Sequence, residues 1–177
     1  MKPNMKRMRA ARIAGCFAAL LLLAACSEAV KEVMAQEPDA NTVCSLDGMT
    51  LVDFPGPKAQ IQYAEGKPEF FCDLMEFFSA LQAAQQQRGA AALFVQDMGK
   101  TDWERPRGNW IDARTALYVV GSKKTGSMGA TFGSFSSMRD AQAFNKAEGG
   151  MIVRFEQVTT VMLTMDSSSG HGTSLPH

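Results

Sequence analysis

Sulfur carries the chemistry this sequence offers. Cys44-Ser45-Leu46-Asp47-Gly48-Met49 sets a thiol and a thioether around an Asp-Gly turn that can fold both sulfurs onto one ion. Met98, in Asp97-Met98-Gly99, and Met128, in Gly126-Ser127-Met128-Gly129, are likewise flanked by turn formers. A thioether on a glycine-rich loop is badly placed for core filling, and glycine lets the backbone bring it close to another group. Thiolate plus thioether is a soft ligand set that suits Cu(I). Met75, Met138, Met151 and Met162 fall in helical or strand patterns and are expected to fill the core.

Cys72 precedes Asp73 at a predicted helix start, where the helix end favours thiolate. Its flanks, Phe70-Phe71 and Phe77-Phe78, argue instead for a buried, inert thiol. In an oxidising compartment a Cys44-Cys72 pair is also a candidate structural disulfide. Zinc is poorly served, because there is no Cys-x-x-Cys pair and the only histidines, His171 and His177, lie in the tail. A blue-copper site would need histidines within the core. Trp103 and Trp110 bracket a loop between two halves and read as packing between them.

These residues need a scaffold, and the pattern supplies one twice. Ala59 to Tyr63 alternates as a strand, Ala64 to Lys67 turns, and Glu69-Phe70-Phe71 begins a second strand. Asp73 is a candidate N-cap for a helix bearing Leu74, Phe77, Phe78 and Leu81, with Gly89 as its stop and Ala91 to Val95 as a closing strand. The second half repeats the order with a strand at Ala116 to Val120, a turn-rich loop at Gly126 to Gly129 and a short strand within Ala130 to Phe135. A helix from Met138 to Ala147 follows, capped by Ser136 or Ser137 and ended by Gly149-Gly150, and Met151 to Phe155 is the last strand. The expected fold is α+β, with two β-β-α-β units built on small, mostly antiparallel sheets.

The chain opens with a basic stretch, Lys2 to Arg12, and an apolar run, Ile13 to Ala25, too short for a comfortable bilayer span. It ends in Leu23-Ala24-Ala25-Cys26, which resembles a bacterial lipobox, with Cys26 as the lipidated residue. The expected organisation is a lipoprotein signal peptide over 1–25 and a flexible tether over 26–42. A first unit over 43–98, an inter-unit loop with the second unit over 99–165 and a disordered tail over 166–177 follow. Five of the eighteen basic residues leave with the signal and none of the eighteen acidic ones do, so the mature chain carries 13 against 18, net −5. An acidic, exported chain without a basic stripe is a poor binder of nucleic acid.

The ordered motifs Cys44 to Met49, Phe71-Cys72-Asp73, Val95 to Gly99, Trp110 to Arg114, Gly126 to Gly129 and Gly150 to Phe155 resemble the NosL family of lipoprotein accessory factors. The resemblance implies a metallochaperone that carries Cu(I) toward the copper centres of nitrous oxide reductase, with the NosDFY membrane complex as a partner. It implies a fold similar to part of the organomercurial lyase fold, and Cys44 and Met128 as the principal ligands. Many members have a histidine two residues after the loop methionine, where this chain has Ala130, leaving Met49, Met98, Cys72 or water to complete the site. The competing readings are a structural lipoprotein with a Cys44-Cys72 disulfide and a thiol-dependent, lyase-like enzyme, although nothing in the sequence demands turnover. A periplasmic, membrane-tethered location is expected, and Ser27 after the anchor permits outer-membrane sorting.

Cys26→Ser is expected to leave the precursor uncleaved and unlabelled by radioactive palmitate. Persistent labelling would remove the lipid anchor from this account.

Overall fold

The computed structural model describes residues 33–82 and 89–164. The expected signal peptide, Cys26, the first part of the expected tether, residues 83–88 and the tail with His171 and His177 lie outside the described residues. From Val33 onward the chain makes a compact unit of its own. No helix among the described residues is long and apolar enough to cross a membrane.

Among the described residues nine strands and two α-helices follow one another: β1 (Ala59–Tyr63), β2 (Glu69–Phe71), α1 (Leu74–Gln82), β3 (Ala90–Gln96), β4 (Trp110–Asp112), β5 (Leu117–Val120), β6 (Thr125–Gly126), β7 (Gly129–Ala130), β8 (Gly133–Phe135), α2 (Met138–Glu148) and β9 (Met151–Arg154). The sheets run β2-β1-β3-β4 and β8-β5-β9, with β6 and β7 as a separate hairpin, and every pairing is antiparallel. The architectural repeat is visible in this order. In each half the first strand is central, the second lies on one side, and the strand after the helix closes the other.

Local chemistry explains the helix starts. Asp73 Oδ1 accepts the backbone N–H of Glu76 at 3.0 Å, and Ser137, not Ser136, caps α2 by accepting the Asp140 N–H at 3.2 Å. At the end of α2 the chain reverses through Gly149 and Gly150, both at positive φ, and a Cβ on Gly150 would sit 2.5 Å from the Val120 carbonyl. Only glycine permits that approach to β5.

One core joins the halves. Ile61, Phe71, Phe77, Phe78 and Val95 of the first half pack with Tyr118, Val120, Phe132 and Val153 of the second. Phe78 is central to it, with ring centroids 5.0 Å from Tyr118, 5.8 Å from Phe132 and 5.4 Å from Phe155. The opposite face of β5, Leu117 and Val119, is covered by α2 through Ala141 and Phe144. Strand β5 is therefore buried on both faces.

Four expectations are corrected. The loop between the halves contains strand β4, so Trp110 pairs with Gln96 at a sheet edge rather than filling an inter-unit gap, whereas Trp103 stacks on Phe144 at 5.3 Å. The tether is docked over its described part: the Gln36 N–H donates to Gln60 Oε1 at 2.8 Å and Gln60 Nε2 donates to the Gln36 carbonyl at 2.9 Å. Trp110 Nε1 also donates to Glu37 at 2.7 Å. This segment buries Gln60 and Gln62, which point away from the apolar core. The Gly126 to Gly129 loop is a hairpin whose two-residue tip is Ser127-Met128. Met138 and Met151 are 44% and 50% exposed rather than core residues, whereas Met75 and Met162 do pack against the core.

Because Phe78 bridges both halves, Phe78→Ala is expected to destabilise the fold by about 3–5 kcal/mol in urea unfolding. A loss below ~1 kcal/mol would contradict the shared core.

Candidate metal centre

The first thiol is set by a tight loop. The Cys44 N–H donates to the Met49 carbonyl at 2.8 Å, the Gly48 N–H to the Cys44 carbonyl at 3.0 Å, and the Met49 N–H to Asp47 Oδ1 at 2.9 Å. Gly48 at φ +77° makes the reversal. The Ser45 N–H then donates to the Phe70 carbonyl at 2.8 Å, and Ser45 Oγ accepts the Phe70 N–H at 3.1 Å, which fastens the loop beside β2. Strand β2 leads directly into Cys72 and the start of α1. Two sequence-distant sulfurs thereby share one small cluster with Leu51, against which Met49, Phe54 and Phe70 pack.

A carboxylate completes the group. Sγ of Cys44, Sγ of Cys72 and a carboxylate oxygen of Glu76 all lie within 4.8 Å of one another. Cys44 Sγ and Glu76 Oε2 are 3.1 Å apart, and the same oxygen accepts the Cys72 N–H at 3.2 Å. Both cysteines are buried free thiols, so the disulfide reading is not the state of this structure. The Cys72 S–H lies 3.6 Å from the Met49 carbonyl.

Proton positions follow from these contacts. Hydrogen bonding from Cys72 pulls the Cys44 thiol down to about 6 against opposing burial, with a further contribution from Glu76. The same pairing with Cys44, reinforced by burial and nearby negative charge, pushes Cys72 far up, so it stays a thiol. The helix end does not make Cys72 a thiolate, because its neighbour holds the negative charge first. Burial and the Cys44 contact raise Glu76 to about 8. Of the three groups Cys44 is thus the one that ionises most readily, with Cys72 and Glu76 shifted toward their protonated forms.

A buried cation lies behind the group. Lys58 Nζ donates to the carbonyls of Phe54, Pro55 and Cys72 at 2.9, 3.0 and 2.9 Å. Burial pulls Lys58 down to about 8, while the charges of Cys72, Asp73, Glu76 and Cys44 hold it up.

On the other side of the helix start, Ser127 Oγ donates to Asp73 Oδ2 at 2.8 Å. This ties the β6-β7 hairpin to the residue after Cys72. The approach is close: a Cβ on Gly126 would meet Thr131 at 3.0 Å and the Asp73 Cβ at 3.1 Å. Met128, next to Ser127 at the hairpin tip, is 71% exposed.

Residues 35–163 match the NosL family model. The chain belongs to the NosL family. It is 37% identical over 166 residues to the copper-binding lipoprotein NosL of Stutzerimonas stutzeri, covering 90% of this chain and 87% of that one. It is 38% identical over 160 residues to the protein of the same name from Achromobacter cycloclastes, covering 86% and 82%. The crystal structure of the copper chaperone NosL from Shewanella denitrificans superposes with a TM-score of 0.69 at 38% identity, over 72% of this chain and 97% of that one.

Within this NosL fold the expected ligands separate. Cys44, Cys72 and Met49 are gathered, and Met128 is held beside the helix start by its hairpin. Met98 is not gathered. Its N–H donates to the Ser134 carbonyl at 2.8 Å, and its side chain packs with Leu117, Val119, Phe135 and Ala141 on the far side of β5. The turn flanking Met98 leads the chain onto β8, so its sulfur serves the second core. Sequence reasoning missed Glu76 and Lys58. The spacing Asp73-Leu74-Met75-Glu76 is that of a capping box, and could have drawn attention to an acid folded back over the helix start. No local signal marks Lys58.

Ultraviolet thiolate absorbance of the metal-free, reduced protein is expected to show one thiolate appearing with a midpoint near about 6. The second thiol should stay protonated through the range where free cysteine ionises, roughly 8.5. Cys72→Ala should move the remaining midpoint upward toward that value. Two equivalent ionisations near ~8.5 would contradict the coupled pair.

Proposed function

We propose that this chain is a periplasmic, membrane-tethered lipoprotein that binds Cu(I) through Cys44 and Met128 and delivers it for assembly of the copper centres of nitrous oxide reductase, with the NosDFY membrane complex as a partner. The observation that carries the reading is the buried Cys44 thiolate, backed by Cys72 and Glu76, beside a hairpin that presents an exposed thioether. The relatives named above are copper-binding lipoproteins or copper chaperones, and the lipobox at Cys26 supports the tether.

The chemistry fits a donor that must release its cargo. A thiolate and a thioether satisfy the soft cuprous ion without enclosing it. Met128, largely in solvent, leaves one side open for an incoming ligand of an acceptor. Cys72, protonated, and Glu76, a hard oxygen donor with its own proton, hold the thiolate rather than compete for copper. Met49 packs on the cluster and is the next sulfur available. The Ser127 to Asp73 bond would keep Met128 in reach, since it fixes the hairpin to the helix start that also carries Cys72.

Binding should stabilise the fold, because the two ligands come from separate halves of the chain. At a free Cu(I) concentration about a hundred times the dissociation constant, the gain is roughly 2.7 kcal/mol, which moves the melting temperature by several degrees. Anaerobic titration against a competing chelator, with thermal melts, is expected to show one-to-one binding. Cys44→Ser should abolish the shift and Met128→Leu should reduce it strongly, with Met49→Leu intermediate. Ser127→Ala should weaken binding in the wild-type background and add little in the Met128→Leu background. Met75→Leu and Met98→Leu should leave binding intact. Wild-type affinity in Met128→Leu would sink the two-loop site and leave Cys44 and Cys72 as the ligand pair.

A further inference from the structure

A cavity of about 260 Å³ opens beside the thiol cluster, and its walls belong to both. Leu51 and Phe54 line the cavity and also pack on Cys44 and Cys72. Lys58 lines it as well, with Nζ bonded to the Cys72 carbonyl. An occupant of this cavity would therefore sit one side-chain layer from the thiolate.

The rim is cationic. Arg105 and Arg107, both exposed, line the cavity, and among the described residues neither guanidinium forms an ion pair. The acids around them are engaged elsewhere. Glu37 accepts the Gly108 N–H at 3.0 Å and Trp110 Nε1–H at 2.7 Å. Asp102 Oδ1 accepts the backbone N–H groups of Glu104 and Arg105, and Glu104 lies 3.8 Å from Lys124. The backbone carrying the arginines is held by Thr101 Oγ1, which accepts the Arg107 N–H at 3.0 Å, and by Asn109 Nδ2, which donates to the Arg107 carbonyl at 3.3 Å. Two arginines on held backbone, with no ion pair among the described residues, thus rim a hollow of mixed polar and apolar lining on a mature chain of net charge −5.

We infer that this cavity is the docking socket for an acidic segment, with an apolar side chain beside its carboxylates, on the protein that exchanges copper with this chain. The inference rests on the delivery reading above. Guanidinium forks bind carboxylates in a fixed geometry, and Leu51, Phe54 and the 40%-exposed Val52 offer the apolar contact. A phosphate-rich lipid surface fits less well, because a flat headgroup layer would not fill a concave site lined by Leu51, Val52 and Phe54. On an acidic protein, a local cationic rim is also what would orient an acidic partner, since charge complementarity acts mainly on encounter and register.

The test uses a strain lacking its own copy of this gene, complemented with full-length variants, with nitrous oxide reduction by the cells as the readout. Arg105→Glu/Arg107→Glu is expected to lower reduction by about tenfold or more, the scale of electrostatic steering. Its Cu(I) affinity and melting temperature should stay at wild-type values, and Arg105→Lys/Arg107→Lys should restore most of the reduction. Full reduction by the charge-reversed variant overturns the socket, as does a loss accompanied by weakened Cu(I) binding. Co-sedimentation of the chain from Ser27 onward with phosphatidylglycerol vesicles, lost on charge reversal, would also overturn it by assigning the arginines to the membrane. Full reduction by Cys44→Ser would overturn the delivery reading itself, and the socket with it.

Discussion

Asp73 is a buried carboxylate on which the candidate site depends. An unpaired carboxylate away from water is expensive, and both oxygens of Asp73 are satisfied: one by the backbone N–H of Glu76, the other by the hydroxyl of Ser127. The first bond starts α1 and so fixes the direction of Cys72 and Glu76. The second draws in the hairpin that bears Met128, from the other half of the chain. The Asp73 charge in turn helps to hold up the buried Lys58 ammonium, which burial pulls down. Helix start, thiol pair and thioether hairpin are thus joined through one side chain, 54 residues from its hydroxyl partner.

Around this junction the protein holds charge in an environment that would otherwise neutralise it. Three groups that can be negative, Cys44, Cys72 and Glu76, crowd together, and the hydrogen bond between the two sulfurs, with burial and repulsion acting on Cys72 and Glu76, leaves Cys44 as the one that ionises most easily. The other two are shifted toward their protonated forms. A soft anion held by proton donors, not by hard anions, discriminates by ligand chemistry. Thiolate and thioether are soft ligands, poorly matched to hard divalent cations. The rigid frame for this balance is the core shared by the two halves, in which α1 packs by Phe77 and Phe78 against residues of both sheets.

Segments that read as connectors also carry structure. The stretch before the first cysteine loop lies along the polar face of β1 through Gln36, and Glu37 reaches the β4 edge. The described fold therefore includes residues that read from sequence as tether. The loop between the halves adds a fourth strand to the first sheet and presents Arg105 and Arg107 over the cavity. Both features arise where backbone that looks irregular in sequence finds partners only in the folded chain.

What the sequence determined was local. Alternation in Ala59 to Tyr63, the caps at Asp73 and Ser137, the glycine pair after α2 and the apolar spacing of Leu74, Phe77 and Phe78 marked β1, the two helix starts and the end of α2, because each depends on neighbours a few positions away. The Asp-Gly turn likewise announced the Cys44 to Met49 loop. Tertiary structure alone decided which sulfurs meet. Met98 and Met128 carry the same glycine-turn signature, yet one is packed under α2 and the other stands at a hairpin tip beside Asp73. The choice between them rests on which strand each turn leads into. The contact of Glu76 with Cys44, 32 residues apart, and the passage of Lys58 behind Cys72 were equally illegible. A side chain's proton and its partners are set by what long-range packing brings within a few ångströms, and periodicity along the chain does not encode that distance.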